Sequence, residues 1–496
     1  MSASANGLDS RRSGDPIWLV LCCSAIVLLA MIAAVSTGGR TLAMAGTVVV
    51  CGVAASLYYP SFPLWLMLAT TFFYVDLSGI SRVLPFWYRY IQTVGVALTL
   101  LAAAVRAPSV RLETWILRPL MAFVAVACVS AVVNGAEAVK LAESIAIYLR
   151  YPVFFIALTG LRLPVHTYKR LLFAFVVLSV VQVPWVAIAY AHGVRGDDVG
   201  GSMGGMQPLM IAMIVTQCLV MAAIVLDRLT FARAMLLPLL ITPILFGEVI
   251  AGLLFSPLAM GYVALGRARA LLYKLRPRRI LLIGCIWVVV VAGVLSVTPK
   301  LSQILADVPG ATGPSTDPGS ISGSSLGRFT IIPFAFRVLM RNPGDVLVGF
   351  GPEAAYGGLL GDAAGVIWRP LEDAGLSSHR TTDVFRMLME YGVLGLCCYG
   401  ILLLTVWRHV VRQTAVFTDL HWRVFTLAFR GVALMFIVFL PFYIDAWRLD
   451  TPSFLFWLWA AALLSAARVQ QGRLPRLAVV ERAANTHLLD GQPASV

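Results

Sequence analysis

The stretch PLMIAMIVTQCLVMAAIVL, residues 208–226, indicates a membrane protein, because it contains no charged side chain. About 20 apolar residues are enough for one helix to cross the hydrocarbon core of a bilayer. Similar stretches recur along the chain, separated by segments that hold most of the charges. Backbone groups in lipid must be paired within the protein, so each stretch is predicted to be a helix.

The composition also indicates a membrane protein. Of the 496 residues, 59% are hydrophobic and only 12% are charged, and the mean hydropathy is +0.86. Soluble domains carry about a quarter charged residues. The sequence therefore predicts an all-α polytopic membrane protein with about fourteen (roughly 12–14) transmembrane helices and one large outer loop that bears short helices.

The length of the apolar runs places the spans. They are predicted at residues 17–35, 41–58, 61–76, 91–105, 116–133, 141–160, 170–191, 208–226, 234–247, 248–266, 280–297, 387–407, 424–443 and 452–467. The chain then divides into four parts: helices 1–11 within residues 1–297, the large loop 298–386, the last three helices within 387–467, and the tail 468–496.

The basic residues predict the orientation, because lysine and arginine gather in cytoplasmic loops. With both termini in the cytoplasm, the strongest basic cluster, within residues 267–279, faces inward, and short outer loops hold few basic residues. The net charge of +14 is then explained by topology and by contact with anionic lipid headgroups. No nucleic-acid partner is predicted.

The sequence contains none of the motifs that we checked for disulfide-stabilised folds, zinc sites, nucleotide binding and metal-dependent glycosyl transfer. All eight cysteines lie in predicted spans, which disfavours a disulfide framework, and no zinc-type spacing occurs. A Walker A sequence and a DxD motif are also missing. We therefore predict no metal and no cofactor.

The large loop has an internal order. Residues 310–327, GATGPSTDPGSISGSSLG, have the composition of a flexible linker. Residues 328–340, RFTIIPFAFRVLM, are predicted to form an amphipathic helix that ends at Asn342-Pro343-Gly344. Gly349-Phe350-Gly351-Pro352 is predicted to make a second tight turn.

Ionisable residues in the outer loop and in the spans are the candidates for chemistry. The loop gathers arginines and a single histidine, His379, near the bilayer surface; the alternative is an ordinary solvated surface. The arginine fork suits phosphate, and a histidine can exchange a proton near neutral pH. Glu143, Arg150 and Glu248 lie in predicted spans, and Arg150 lies nearest mid-span, so it needs a partner or a hydrated cavity.

Three segments resemble the superfamily of O-antigen ligases and O-antigen polysaccharide polymerases. They are Arg328 at the start of a short helix, MRNPGDVLVGFGPEAAYG (residues 340–357), and SSHRTTDVFRMLMEYGVLGL (residues 377–396). The last contains an E-x-G-x-x-G segment, from Glu390 to Gly395. RGDDVGGSMGGMQPLM (residues 195–210) looks like the arginine- and glycine-rich outer loop of that superfamily. The order and spacing carry the resemblance over about residues 190–410.

The resemblance implies a metal-independent inverting glycosyltransferase in the bacterial inner membrane. It would transfer or polymerise undecaprenyl-pyrophosphate-linked glycan repeat units at the periplasmic face, onto a glycan or lipid-linked acceptor, with other polysaccharide assembly proteins as possible partners. Arg328 is implied to bind the carrier pyrophosphate, and His379 to touch phosphate or activate the acceptor hydroxyl. The predicted substrate-binding residues are Arg195, Arg150, Arg380, Arg337, Asp383 and Glu390.

Two details bear on the interpretation. Many members carry Ser-Arg-Gly near the ninth or tenth span, where this chain reads Leu254-Phe255-Ser256-Pro257, so Arg150 or Arg195 is the substitute for the missing arginine. Thr382-Asp383 follows His379-Arg380, where ligases more often have Asn after His; this favours a polymerase over a ligase. A transporter or flippase is the alternative of another class, disfavoured because no internal repeat is visible.

The topology predicts the outcome of a labelling experiment. A cysteine at Ser315 should react with an impermeant thiol reagent in intact cells, and one at Ser495 should react only after permeabilisation, because the large loop is predicted outside and the tail inside. Labelling of position 495 but not of 315 in intact cells would show that the chain has the opposite orientation in the membrane.

Overall fold

The protein is a bundle of apolar helices. The computed structural model describes residues 50–73, 91–106, 113–161, 163–194, 199–203, 205–227, 230–247, 249–266, 332–333, 335–336, 339–340, 342–352, 354 and 382–489, the last with side chains as far as residue 471. Helices α1 to α12 are, in chain order, Phe62–Phe72, Ile91–Arg106, Thr114–Val133, Ala138–Leu161, Val165–Ala191, Met206–Leu226, Phe231–Phe246, Ile250–Leu265, Pro343–Val348, Asp383–Gln413, Leu420–Leu434 and Asp450–Leu489. Within these ranges there is no strand, so the predicted all-α class is confirmed for this part of the chain.

Seven helical segments in the described ranges are long and apolar enough to cross a membrane. They are Thr114–Val133, Ala138–Leu161, Val165–Ala191, Met206–Leu226, Asp383–Val416, Leu420–Phe442 and Asp450–Gln471. The shorter apolar helices α1, α2, α7 and α8 coincide with four further predicted spans. The chain is thus a multi-pass membrane protein. The predicted spans 17–35 and 280–297, and the first half of 41–58, lie outside the described residues.

Helices α6 and α12 form the interior of the bundle. Nearly every side chain of α6 and of residues 453–467 in α12 is buried, as expected for helices that are apolar on all sides. Helices α7, α8 and α11 pack against α6, and α4, α10 and α11 pack against α12. The candidate site described below lies where α3, α4, α10 and the start of α12 meet.

The loops predicted to be cytoplasmic gather at one end of the bundle. Lys169 at the start of α5 is 2.7 Å from Asp419 before α11. Arg468 of α12 pairs with Glu113 before α3. The predicted outer connections meet at the opposite end, where Asn134 after α3 donates to the Gly349 carbonyl. For α3, α5, α11 and α12, these contacts agree with the predicted helix directions.

Helix α10 is broken at Gly392, and a turn from the large loop docks on the break. Gly392 has φ 63° and ψ −164°, so the helical hydrogen bonds stop there. The Phe350 amide donates to the Met389 carbonyl at 2.8 Å, and the Gly351 amide donates to the Glu390 carbonyl at 3.2 Å. These contacts pair carbonyls that would otherwise be left without partners inside a membrane protein.

The docking depends on glycine on both sides of the contact. A Cβ atom at Gly392 would lie 2.3 Å from the Leu347 carbonyl oxygen, and one at Gly349 would lie 2.6 Å from the Glu390 carbonyl carbon. Both glycines also have positive φ, which side chains with a Cβ rarely adopt. The predicted tight turn at Gly349–Pro352 is therefore confirmed, and it serves as the docking surface for α10.

The described residues of the loop helix end before Asn342-Pro343-Gly344, as predicted. The same three residues also begin α9, which was not predicted: the Asn342 side chain accepts from the Gly344 amide, and Pro suits the first helical position. Helix α10 begins at Asp383, four residues before the predicted span 387–407, because Thr382 caps it by accepting from the Phe385 amide. The rest of residues 298–386 is described only between 332 and 354.

Alanine at the break should destabilise the fold. Gly392→Ala places a Cβ atom against the backbone of Leu347 at a position with positive φ. We therefore expect the free energy of unfolding to fall by about 2 kcal/mol or more, with a lower midpoint of thermal unfolding in detergent. Gly400→Ala is the matched control in the same helix, since a Cβ there has no atom within 4 Å and alanine is the better helix former. Equal midpoints for the two variants would contradict the docking.

Candidate functional site

The first part of α10 is completely buried and carries charge. Every residue from Thr382 to Gly392 is buried, including Asp383, Arg386 and Glu390. These three side chains lie three and four residues apart, so they share one face of the helix. Ionisable groups inside a membrane protein are costly and mark functional sites.

The connection between α11 and α12 folds into the bundle and meets this face. Helix α11 continues as a π-helical turn, Met435–Phe439, and a 3-10 turn, Leu440–Phe442. The following residues are largely buried, and the Trp447 amide donates to Asp383 Oδ2 at 2.6 Å. The Asp383 amide donates in return to the Ile444 carbonyl at 3.3 Å. The start of α10 is thus fixed to this connection by hydrogen bonds in both directions.

Arginine–carboxylate contacts join the two elements further. Arg386 Nη2 lies 2.8 Å from Asp445 Oδ2, and these side chains are only 7% and 19% exposed. Arg448 Nη1 lies 3.9 Å from Glu390 Oε1. The Arg448 guanidinium also lies 5.6 Å from the centre of the Tyr148 ring, a cation–π arrangement.

Glu390 is held between α3 and α4. Its Oε2 accepts from the Ser144 hydroxyl at 3.4 Å, and that hydroxyl in turn accepts from Tyr391. Its backbone carbonyl accepts from the Ser130 hydroxyl at 2.9 Å. The contacts of the Glu390 carboxylate, at 3.4 Å to Ser144 and 3.9 Å to Arg448, are longer than the 2.9 Å contact of its backbone carbonyl.

Arg150 has the partner that its mid-span position requires. Its Nη2 lies 2.5 Å from Asp450 Oδ1 at the start of α12, and the Tyr151 hydroxyl donates to the same oxygen at 2.9 Å. Arg150 also donates to the Arg448 carbonyl at 3.0 Å and to the Thr93 hydroxyl at 2.9 Å. Arg150 therefore holds the end of the α11–α12 connection, and its guanidinium is engaged by the protein itself.

Taken together, these contacts form what we call the charged cluster. Its members are the arginines Arg150, Arg386 and Arg448 and the carboxylates Asp383, Glu390, Asp445 and Asp450. The carboxylates balance the arginines, so the described part of the site is not a bare anion-binding pocket. Asp383 Oδ1 and the Tyr148 hydroxyl have no hydrogen-bond partner in this part of the chain, which leaves polar capacity beside Arg448.

The structure brings together some of the predicted site residues. Arg150, Asp383 and Glu390 all belong to the charged cluster. The other predicted site residues lie outside the described residues, and they are His379, Arg328, Arg195, Arg380 and Arg337. Glu248 also lies outside the described residues. Asp383 is fully buried and accepts a hydrogen bond from the Trp447 backbone amide. Within the described residues, its side chain therefore has a structural role.

Sequence reasoning missed the contribution of the α11–α12 connection. Asp445, Arg448 and Asp450 were not among the predicted site residues, and Arg386 was assigned only to the loop. A signal was present, because YIDAWRLD places charges of both signs between two apolar runs. Mixed charges in so short a connection indicate partners within the protein.

Comparison with protein-family models and with curated proteins finds no match for this chain. The resemblance to the O-antigen ligase and polymerase superfamily therefore stands on the quoted residues alone.

The buried ion pair between Arg386 and Asp445 predicts strong energetic coupling. Arg386→Met and Asp445→Asn should each lower the free energy of unfolding by about 3–5 kcal/mol, because each removes one side of a buried ion pair. The double variant should recover about 1–3 kcal/mol of the summed loss, measured by denaturant unfolding in detergent.

The pair Lys169–Asp419 is the matched control for this cycle. Its side chains are 37% and 38% exposed, so its coupling should be only about 0–1 kcal/mol. Additive losses for Arg386 and Asp445 would show that the charged cluster is not held together by this pair.

Proposed function

We propose that the chain is a metal-independent membrane glycosyltransferase that polymerises undecaprenyl-pyrophosphate-linked glycan repeat units at the periplasmic face of the bacterial inner membrane. The observation that carries the proposal is the docking of Gly349–Gly351 on α10 beside the charged cluster. The family resemblance rests in part on two segments that are about 40 residues apart in sequence, the turn and the E-x-G-x-x-G segment. These two segments contact each other directly.

The described part of the loop helix supports the same arrangement. Ala335 and Leu339 are buried in one apolar cluster with Val384, Phe385 and Leu388 of α10. The large loop therefore folds back onto the helix that follows it, and this helix carries three members of the charged cluster. Such a fold-back is what a site shared by the loop and the membrane helices requires.

Chain connectivity limits how far the proposed catalytic residues can lie from the described residues next to them in sequence. At about 3.3–3.6 Å per residue, His379 can be no more than about 14 Å along the chain from Asp383, and Arg328 no more than about 14 Å from Ile332. Both limits are shorter than a single membrane span. A pyrophosphate held by both residues is compatible with these limits.

The proposed reaction is an inverting transfer. The acceptor hydroxyl oxygen bonds to the anomeric carbon, the bond from that carbon to the pyrophosphate oxygen breaks, and the leaving pyrophosphate takes the electron pair. His379 accepts the hydroxyl proton, and Arg328 stabilises the charge that grows on the pyrophosphate. We assign further phosphate contacts to Arg195, Arg380 and Arg337, because Arg150 is engaged by Asp450.

The choice between polymerase and ligase rested on Thr382-Asp383. Thr382 caps α10 and Asp383 binds the Trp447 amide, so both have structural roles in the described part of the chain. An O-antigen ligase is therefore the close second candidate. Glycans from a deletion strain separate the two, because single capped repeats mean loss of a polymerase, whereas polymer left on its lipid carrier means loss of a ligase.

A transporter of lipid-linked glycans is the second candidate of another class. The ion pair of Arg150 with Asp450 inside the bundle favours it, because paired charges at membrane depth also line transport pathways. The glycine-dependent docking of the large loop favours the enzyme, since an enzyme needs one fixed geometry for donor and acceptor.

Substitutions of Arg328 and His379 test the proposed reaction. Arg328→Ala should lower polymer synthesis by on the order of a hundredfold while leaving expression normal, and Arg328→Lys should restore only part of it because lysine lacks the planar fork. His379→Ala should also lower activity strongly. If His379 is the general base, wild-type activity should fall as the pH is lowered through about 6.5, because a protonated histidine cannot accept the hydroxyl proton.

The control for these variants is Arg412→Ala, which removes an exposed arginine at the opposite end of α10. It should leave polymer synthesis unchanged. Normal polymer from both alanine variants, expressed at the wild-type level, would show that the proposed site is wrong and would favour the transporter.

A further inference from the structure

A polar cleft opens at the end of the bundle opposite the charged cluster, where α6, α8, α10 and α11 converge. Its volume is about 130 Å³. Its polar lining comes from the end of α10 and from one side of α11, and comprises Thr414, Arg423, Thr426 and Arg430. Apolar side chains, including Leu226 and Val411, complete the wall.

The two arginines of the cleft lie on one face of α11, since seven residues correspond to about two helical turns. Neither guanidinium has a hydrogen bond or an ion pair within the described residues, and Arg430 Nε is buried without a partner. The nearby acidic residues are paired elsewhere: Asp419 with Lys169 and Asp227 with Arg233. The cleft therefore carries positive charge that the described residues do not balance.

Arg430 lies deep enough for this charge to be costly. It is about 15 Å along α11 from Leu420, at about 1.5 Å per residue, and it lies within the predicted span 424–443. A charged side chain inside a span costs up to roughly 2.5–3.5 kcal/mol on insertion scales. Such a residue is stable there when water or an opposite charge reaches it.

The short helix α8 makes room for such a charge. It ends at Leu265, and a Cβ atom on Gly266 would lie 3.9 Å from Arg430 Nη1 and 3.0 Å from Leu427 Cδ1. The sequence that follows, residues 267–279, contains six basic residues and no acidic residue.

The threonines of the cleft present acceptors. The Thr414 hydroxyl donates to the Val410 carbonyl at 2.9 Å, and the Thr426 hydroxyl donates to the Trp422 carbonyl at 2.8 Å. Each hydroxyl proton is used within its own helix, so the oxygen lone pairs remain available. A ligand that fits the cleft thus combines a phosphate group with hydroxyl donors.

We propose that the cleft binds the headgroup of an anionic phospholipid, with its phosphodiester on Arg423 and Arg430 and headgroup hydroxyls on Thr414 and Thr426. Arginine forks match phosphate oxygens, and basic pockets between membrane helices bind anionic headgroups. Phosphatidylglycerol has both the phosphodiester and the glycerol hydroxyls. This site is separate from the proposed glycosyl transfer, which would occur at the opposite end of the bundle.

Thermal unfolding of the purified full chain tests the site. In nanodiscs of phosphatidylcholine, added phosphatidylglycerol should raise the Tm of the wild-type chain by several degrees, because a ligand that binds only the folded state stabilises it. The double variant Arg423→Gln/Arg430→Gln should lose this shift. The control Arg412→Gln, an exposed arginine on the last turn of α10, should keep it.

Two further measurements separate the possible outcomes. Inorganic phosphate added to phosphatidylcholine nanodiscs should give no comparable shift; if it does, the ligand is a soluble phosphate and the lipid assignment is wrong. Native mass spectrometry should show less retained phosphatidylglycerol on Arg423→Lys/Arg430→Lys, which keeps the charge but loses the fork. Wild-type retention by this variant and an unchanged Tm shift in the glutamine variant would overturn the proposal.

Discussion

The pairing of the Gly349–Gly351 turn with the broken helix α10 is the contact on which the rest of this end of the bundle depends. A break in a membrane helix exposes carbonyl groups that water cannot reach, and leaving them unpaired would cost several kcal/mol each. The Phe350 and Gly351 amides and the Ser130 hydroxyl pair them instead. The break therefore persists because a segment of the large loop occupies it, and the loop is held in place by the same bonds.

The break also determines where the charges lie. It separates the buried segment that carries Asp383, Arg386 and Glu390 from the rest of α10, and this segment meets the buried connection between α11 and α12. Buried ion pairs contribute little to stability, because desolvation offsets much of their attraction. Their concentration beside a docked loop fits the fixed polar geometry that the proposed transferase would need for a charged substrate.

Much of the fold follows from the sequence, because apolar run length and positive charge determine span and direction in a membrane protein. The turn at Gly349–Pro352 was predicted from its glycines, and the need of Arg150 for a partner was predicted from its depth. The identity of that partner, Asp450, was not predicted, because it lies about 300 residues away in sequence and periodicity contains no information on such pairings. The docking of the turn on Gly392 was unpredicted for the same reason: a backbone-to-backbone contact leaves no side-chain pattern other than glycine.

The proposed function requires that this chain make glycosidic bonds. The most direct test gives the purified chain, in nanodiscs, an undecaprenyl-pyrophosphate-linked repeat unit as both donor and acceptor, with a metal chelator and without ATP. We expect covalent growth of the glycan and release of undecaprenyl pyrophosphate, because the leaving group is already activated and the proposed charge stabilisation comes from arginine. Movement of the intact lipid-linked unit across a bilayer without any new glycosidic bond would contradict it.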